Sequence, residues 1–363
     1  MRLRRVGTPL FRVGSLVTAL VASVSVGAGV VHAAPPAPAG LPARYISTLT
    51  VPDNFVPAPF RWGGISGLDA VGGGNYVGVS DDPGRFGPAR YFQFRLPIAG
   101  NGMFTGPTPI LTGGGTVLGP RNIPLLPGQM DMEGIRRLGG NYVVSSEGAR
   151  PWIRVVTPLG LYVRDLRIPS AYIPGPNRGM GVNDGFEGLA VIPGGTVAAM
   201  TERSLAQDGG DPTLAAGTRS RLAVFGPKGT SEYVYRTDPL AKGASSRASK
   251  GVSEILAVNG TDFYVLERGY DPATNRNDIK VFLATTRGAT QVGGRFKLSG
   301  SETVMPKRLV YDFGMLPLLR PDNVEGMAWG PRLADGRRSL VLVSDDNFAT
   351  PGQKTKFHVL ALN

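Results

Sequence analysis

One short pattern recurs five times along this chain, and it constrains the fold more than any bulk property does. The copies are Ile65-Ser66-Gly67-Leu68 leading to Val79-Ser80-Asp81, Met132-Glu133-Gly134-Ile135 leading to Ser145-Ser146-Glu147, and Phe186-Glu187-Gly188-Leu189 leading to Met200-Thr201-Glu202. Ser253-Glu254-Ile255-Leu256 leading to Val265-Leu266-Glu267 and Val324-Glu325-Gly326-Met327 leading to Val343-Ser344-Asp345 complete the set. Successive copies lie 67, 54, 67 and 71 residues apart, room for a four-stranded unit with variable loops. Each copy holds two apolar stretches around a turn such as Gly139-Gly140, Gly194-Gly195, Gly260-Thr261 or Asp335-Gly336, which signals a hairpin.

A third strand follows each hairpin, at Tyr91–Leu96, Ile153–Val156, Leu222–Phe225, Ile279–Leu283 and Phe357–Leu362. Fourth strands are expected at Leu161–Leu166, Tyr233–Tyr235 and Leu309–Phe313. The last repeat ends on its third strand, so Tyr45–Thr50 is expected to supply the fourth and close a ring that leaves no open sheet edge. The expected fold is all-β: one β-propeller with five visible blades. The irregular stretch from Phe104 to Pro127 and the insertion from Pro169 to Asn183 leave room for a sixth.

Symmetric pairing outward from each turn, with no bulge intervening, sets Glu133 against Glu147, Glu187 against Glu202, Glu254 against Glu267, Glu325 against Asp345 and Ser66 against Asp81. A hairpin's first and last residues share one end of the sheet, so these acids are expected on one face of the ring, with Glu133, Glu187, Glu254 and Glu325 nearest its axis. Like charges in such proximity raise one another's pKa or require a cation. Hard oxygen donors in this number suit Ca²⁺ better than zinc, and Glu133, Glu147, Glu187, Glu254, Glu325, Asp81 and Asp345 are the candidate ligands. The plainer reading is that each acid caps a strand end by accepting backbone N–H groups. Arg85, Arg203 and Arg268, close after three of the acids, are candidates for gripping an anion, or simply pair with their neighbours. The Asp271–Asp278 loop, Asp208 and Asp211 are weaker oxygen-rich candidates.

The N-terminus reads as an export signal. Arg2, Arg4, Arg5 and Arg12 precede an uncharged apolar run over Val13–Val31, and Val31 and Ala33 occupy the −3 and −1 positions of a cleavage site after Ala33. Residues 1–33 are therefore expected to leave, residues 34–43 to form a Pro/Ala linker, and residues 44–363 to form the domain, periplasmic or extracellular; a retained anchor is the alternative. Arg4-Arg5 also hints at twin-arginine export. The whole chain carries +12, and loss of the four arginines leaves about +8, which suits a small anionic partner. No basic run or nucleic-acid module is present, and the domain is expected to be monomeric, without stable membrane insertion.

Cysteine is absent, and His358 is the single histidine beyond the signal. Thiolate, zinc–cysteine and Ser-His-Asp chemistry are thus excluded or disfavoured. His358 lies in an apolar strand and is expected to be structural, so any catalysis falls to carboxylates and a metal.

The segments Asp131-Met132-Glu133-Gly134-Ile135, Gly185-Phe186-Glu187-Gly188-Leu189-Ala190, Tyr264-Val265-Leu266-Glu267-Arg268, Asn323-Val324-Glu325-Gly326-Met327-Ala328 and Val343-Ser344-Asp345-Asp346-Asn347-Phe348 resemble the bacterial phytase-like domain family, described as esterase-like activity of phytase. The resemblance runs from about Gly64 to the C-terminus, and departs from the pattern at Ser66 and Ile255. It implies an exported propeller related to calcium-dependent phytases, which hydrolyse phosphomonoesters. The expected function is a metal-dependent phosphoesterase or related esterase, with Glu202 or Glu267 orienting water. A non-catalytic calcium-stabilised platform for a cell-envelope ligand or protein, and a calcium-dependent lactonase, are the alternatives.

Overall fold

The computed structural model describes residues 31–33, 42–56, 59–316, 319–348 and 352–363. The charged start and apolar run of the expected signal, and most of the linker, lie outside them. Among the described residues there is no α-helix, and no helix is long and apolar enough to cross a membrane.

Five antiparallel sheets follow one another along the chain. Blade one comprises β3 (Ile65–Gly72), β4 (Asn75–Ser80), β5 (Arg90–Arg95) and β6 (Ile110–Thr116). Blade two comprises β7 (Met132–Leu138), β8 (Asn141–Ser146), β9 (Trp152–Val156) and β10 (Tyr162–Asp165). Blade three comprises β11 (Phe186–Ile192), β12 (Thr196–Thr201), β13 (Arg219–Gly226) and β14 (Gly229–Arg236). Blade four comprises β15 (Ser249–Ala257), β16 (Asp262–Asp271), β17 (Arg276–Thr285) and β18 (Lys307–Asp312). Blade five comprises β19 (Asn323–Trp329), β20 (Ser339–Asp345), β21 (Lys356–Leu362) and the N-terminal β2 (Ala43–Thr50). A short β1 (Val31–Ala33) runs outside β2.

The ring closes as the sequence implies, with Tyr45 paired to Leu360 and Thr50 to Lys356. The first strand of every hairpin is innermost, and β3, β7, β11, β15 and β19 touch in chain order around the axis. Neither candidate stretch holds a sixth blade. Phe104–Pro127 supplies β6, the outer strand of blade one, and Pro169–Asn183 folds into a single 3₁₀ turn, Ser170–Tyr172, with one isolated bridge between Gly175 and Arg178.

The core lies between blades. In β20 and β21, Val341, Val343, Phe357 and Val359 pack against blade one with Trp62, Phe92 and Phe94. The alternate residues Leu340, Leu342, Leu360 and Leu362 pack against blade four with Ile279 and Val281. A strand covered on both faces has little use for polar residues, which is why these strands read as continuous apolar runs.

His358 is fully buried between blades four and five. Its Nε2 lies 3.0 Å from the Pro321 carbonyl and its Nδ1 2.6 Å from the Thr48 hydroxyl. The carbonyl only accepts, so Nε2 carries the proton and Nδ1 accepts from Thr48. Burial pushes the imidazole pKa down to about 3. The unfolded chain, with an ordinary histidine, therefore takes up a proton below pH 6.5 that the folded chain refuses, and stability falls with pH. We expect His358→Gln to remove about 3 kcal/mol of the loss in unfolding free energy between pH 7 and pH 4.5, read from denaturant curves. Parallel pH profiles for the two proteins would refute this.

Candidate functional site

The acidic face is built by a bulge that occurs in every blade. The ladder runs Gly134↔Ser145 and then Met132↔Ser146, so Glu133 is left unpaired between them. The same skip isolates Ser66 in blade one, Glu187 in blade three, Ser253 in blade four and Glu325 in blade five. The symmetric pairing expected from the sequence is therefore incorrect at the acidic end. An extra residue on the bulged strand kinks it and re-aims its side chain. Glycine follows in four blades because the neighbouring inner strand is too close for a side chain. A Cβ on Gly67 would sit 2.6 Å from the Glu133 carbonyl oxygen, and one on Gly326 would sit 2.7 Å from that of Ser66.

Blade four breaks the pattern, and two expectations fail there. Glu254 occupies the glycine position, beside the bulge and not in it. It is an ion-pair partner of Arg136 at 2.7 Å and accepts from the N–H groups of Leu189 and Ile255 at 3.0 and 2.9 Å, so it is committed to the channel wall and not free to join a ligand set with Glu133. Glu267 pairs with Val252 and so takes the place of Ser80, Ser146, Thr201 and Ser344. It is fully buried between Tyr235 Oη at 2.7 Å, Lys307 Nζ at 2.5 Å and the Asp238 N–H at 2.9 Å. A carboxylate so occupied has no face left to orient water. The position of the second acid in blade four belongs instead to Arg268.

The remaining acids gather. Carboxylate oxygens of Asp81, Glu325 and Asp345 lie within 4.8 Å of one another, as do those of Asp131, Glu133 and Glu147. Ser66 Oγ donates to Glu133 at 2.8 Å, Asn323 Nδ2 to Glu325 at 2.9 Å, and the Gly185 N–H to Glu147 at 3.0 Å. Asp81 Oδ1 and Asp345 Oδ2 are buried without a hydrogen-bond partner. Gly64, at φ +62°, permits this approach: Asp81 Oδ1 lies 2.2 Å from where its Cβ would be.

Burial, then the neighbouring carboxylates, hold Asp81, Glu133 and Glu187 well above the ordinary carboxylate range. Burial pushes Glu147 up to about 8 and Asp131 to about 6. Glu202 rises to about 7 through burial, opposed by Arg268 and Arg203 at 3.7 and 3.5 Å. Two orphaned oxygens among mutually raised carboxylates are the donor set a hard divalent cation would satisfy.

Of the three candidate arginines, Arg203 and Arg268 stand beside the cluster. Arg203 also pairs with Asp184 and Asp211. Arg85 is exposed, its guanidinium 5.8 Å from the Phe86 ring centroid, and among the described residues it forms no ion pair. The weaker oxygen-rich candidates are occupied. Asp208 binds Arg221 through both oxygens at 2.7 and 3.0 Å, Asp271 accepts from Ser245 and the Ala273 N–H, and Asp278 pairs with Lys250 at 2.6 Å.

Residues 60–348 match the model of the phytase-like family, described as esterase-like activity of phytase. The chain belongs to that family. No curated protein matches it. Among solved structures, an endo-arabinase from Bacteroides thetaiotaomicron is similar at 11% identity and a TM-score of 0.42, over 84% of this chain and 97% of its own. A GH43_1 enzyme from Xanthomonas citri is similar at 13% identity and 0.44, over 89% of this phytase-like chain and 91% of its own. A mannose phosphorylase from Leishmania mexicana is similar at 8% identity and 0.40, over 88% and 89%. None of the three bears on the chemistry of this chain.

Two residues of the face were invisible in the repeat pattern. Asp131 precedes Met132 where blades one, three and four have glycine and blade five has Asn323, and only the Asp-x-Glu spacing hints at it. Arg136 is an interior charge in an inner strand. Its guanidinium donates to the carbonyls of Ile135, Leu189, Ile255 and Met327 at 3.4, 2.6, 2.9 and 3.1 Å, and to that of Leu68. These are the same position in all five blades, so Arg136 ties the five inner strands together at the axis, two residues past the bulges.

Proposed function

We propose that this phytase-like propeller is an exported, cation-dependent hydrolase of small anionic esters, phosphomonoesters first among them. The observation that carries the reading is the pair of carboxylate triads with two buried, unpartnered oxygens between Asp81 and Asp345. Asp81, Glu325 and Asp345 would hold one divalent cation, Ca²⁺ by donor type, and Asp131, Glu133 and Glu147 offer a second set of oxygens. When bound, such an ion would polarise an ester or phosphoryl oxygen and offset its charge.

The chain's own residues supply the rest. Glu202, with its pKa near 7 and its position between two arginines, is matched to hold and return a proton at neutral pH. Arg203 and Arg268 present positive charge to the anionic group on the same side. The basic balance of the chain favours anionic substrates.

Hydrolysis of 4-nitrophenyl phosphate and 4-nitrophenyl acetate, measured with Ca²⁺, after chelation, and in Glu133→Gln, tests this. Activity should fall at least roughly 100-fold on chelation and in the variant, as expected when an electrostatic stabiliser of the transition state is removed. Undiminished turnover in both would refute the metal-dependent reading. No turnover of either ester, alongside a large stabilisation by Ca²⁺, would favour a non-catalytic binding platform.

A further inference from the structure

The acid ring is broken in one place, and the residue that breaks it is a cation. In the ladders, Ser80, Ser146, Thr201, Glu267 and Ser344 are equivalent, each facing the residue just before the bulge. The residues that follow them are Asp81, Glu147, Glu202, Arg268 and Asp345. Blade four thus has arginine where four blades have an acid, and Ser253 in the bulge where three blades have glutamate. The Arg268 guanidinium lies 3.5 Å from Glu325 and 3.7 Å from Glu202, and donates to Asn323 Oδ1 at 3.1 Å. Burial opposes its charge, but Glu325, Glu202, Glu187 and Asp345 together raise its pKa.

The distribution of metal-competent triads is an independent observation. Among the described residues one triad spans blades five and one, and the other lies in blade two. None includes Glu187 or Glu202 of blade three; of the acids around Arg268, Glu325 and Asp345 belong to a triad, the one that spans blades five and one. We infer that Arg268 is a tethered cation: it occupies the electrostatic place of a metal ion between blades three and five, and so confines divalent cations to the opposite arc of the ring. The inference rests on the cation-dependent reading above.

This gives the site a polarity. Exchangeable cations would sit on the side of blades five, one and two, and a fixed guanidinium on the side of blades three and four. An anionic substrate would then be held between a removable and a permanent positive charge.

Calcium titration of the chelator-stripped full chain by calorimetry tests the assignment, with Tb³⁺ luminescence as a second reading of site number. Arg268→Gln and Arg268→Glu should each bind an additional Ca²⁺ per chain relative to the parent. Arg268→Lys, which keeps the charge, should bind the parental number. Folding of the Gln variant only in the presence of Ca²⁺ would also support the inference, because a free ion would then be replacing the tethered one. Folded Gln and Glu variants with the parental stoichiometry and affinity would overturn it, as would an extra ion in the Lys variant, which remains decisive if the other two do not fold. A parent that binds no Ca²⁺ at all would instead refute the proposed function itself.

Discussion

Replacing Arg136 by methionine should destabilise this protein more than any other single change at the axis. The side chain is 2% exposed, bonds one carbonyl from each of five blades, and neutralises Glu254 at 2.7 Å. Methionine approximates the volume and supplies no donor. Removing one member of a buried ion pair costs about 3–5 kcal/mol where the other charge is stranded; burial already raises the Glu254 pKa to about 8, so Glu254 can take a proton instead and the cost lies toward the lower end. The orphaned carbonyls add to this, since each buried acceptor left unpaired costs about 1–3 kcal/mol where water cannot enter. A loss of at least about 5 kcal/mol is expected, a fall of roughly 10 °C in Tm. Lysine should not rescue it, because an ammonium has three donors and no planar fork to span five carbonyls. Arg136→Met combined with Glu254→Gln should recover part of the loss, with a coupling of about 1 kcal/mol or more. If Arg136→Met melts within about 2 °C of the parent, the blades are held without Arg136 and the axis is not where the fold is secured.

The carbonyls that Arg136 bonds lie two residues past the bulge on each inner strand, and a site set by bulges is only half legible in the sequence. The repeats were plain, and they led correctly to the inner position of each hairpin's first strand and to the Velcro-like pairing of β2 with β21. The register was not plain. Strict alternation would set buried apolar residues two apart, yet every copy has them three apart: Ile65 and Leu68, Met132 and Ile135, Phe186 and Leu189, Val252 and Ile255, Val324 and Met327. That break in parity is the sequence signature of a bulge. Aligned on the apolar pair instead of on Glu-Gly, blade four reads Val252-Ser253-Glu254-Ile255. Glu254 then falls at the glycine position, and Arg268 at that of the acids. Arg136 was harder, because an arginine in a strand gives no sign that its partners are carbonyls on four other blades. His358 is legible from the sequence, since a lone histidine in an unbroken apolar strand has nowhere to go but the core.

In the cation-free protein, Glu147, Glu202 and Asp131 have folded-state pKa values near 8, 7 and 6, all above those of an unfolded chain. The folded state therefore binds more protons than the unfolded state over this range, and stability must decrease as pH rises through these values. Chelator-treated protein should consequently have a lower Tm at pH 8 than at pH 6.5, a window in which the remaining titration of an unfolded histidine opposes the trend by only about 0.4 kcal/mol. Saturating Ca²⁺ should reverse the order. A cation and protons compete for the same oxygens, so the ion binds more tightly as protons leave, and its stabilisation is larger at pH 8. At a hundredfold excess over the dissociation constant one site contributes about 2.7 kcal/mol, a rise in Tm of roughly 5 °C. Thermal melts at the two pH values, with chelator and with Ca²⁺, measure all four quantities. A Ca²⁺ increment equal at both would show that the ion does not bind at the titrating carboxylates. A cation-free Tm that increases from pH 6.5 to 8 would show that these groups are not held against their charge, and with that the electrostatic argument for a metal at this face would fail.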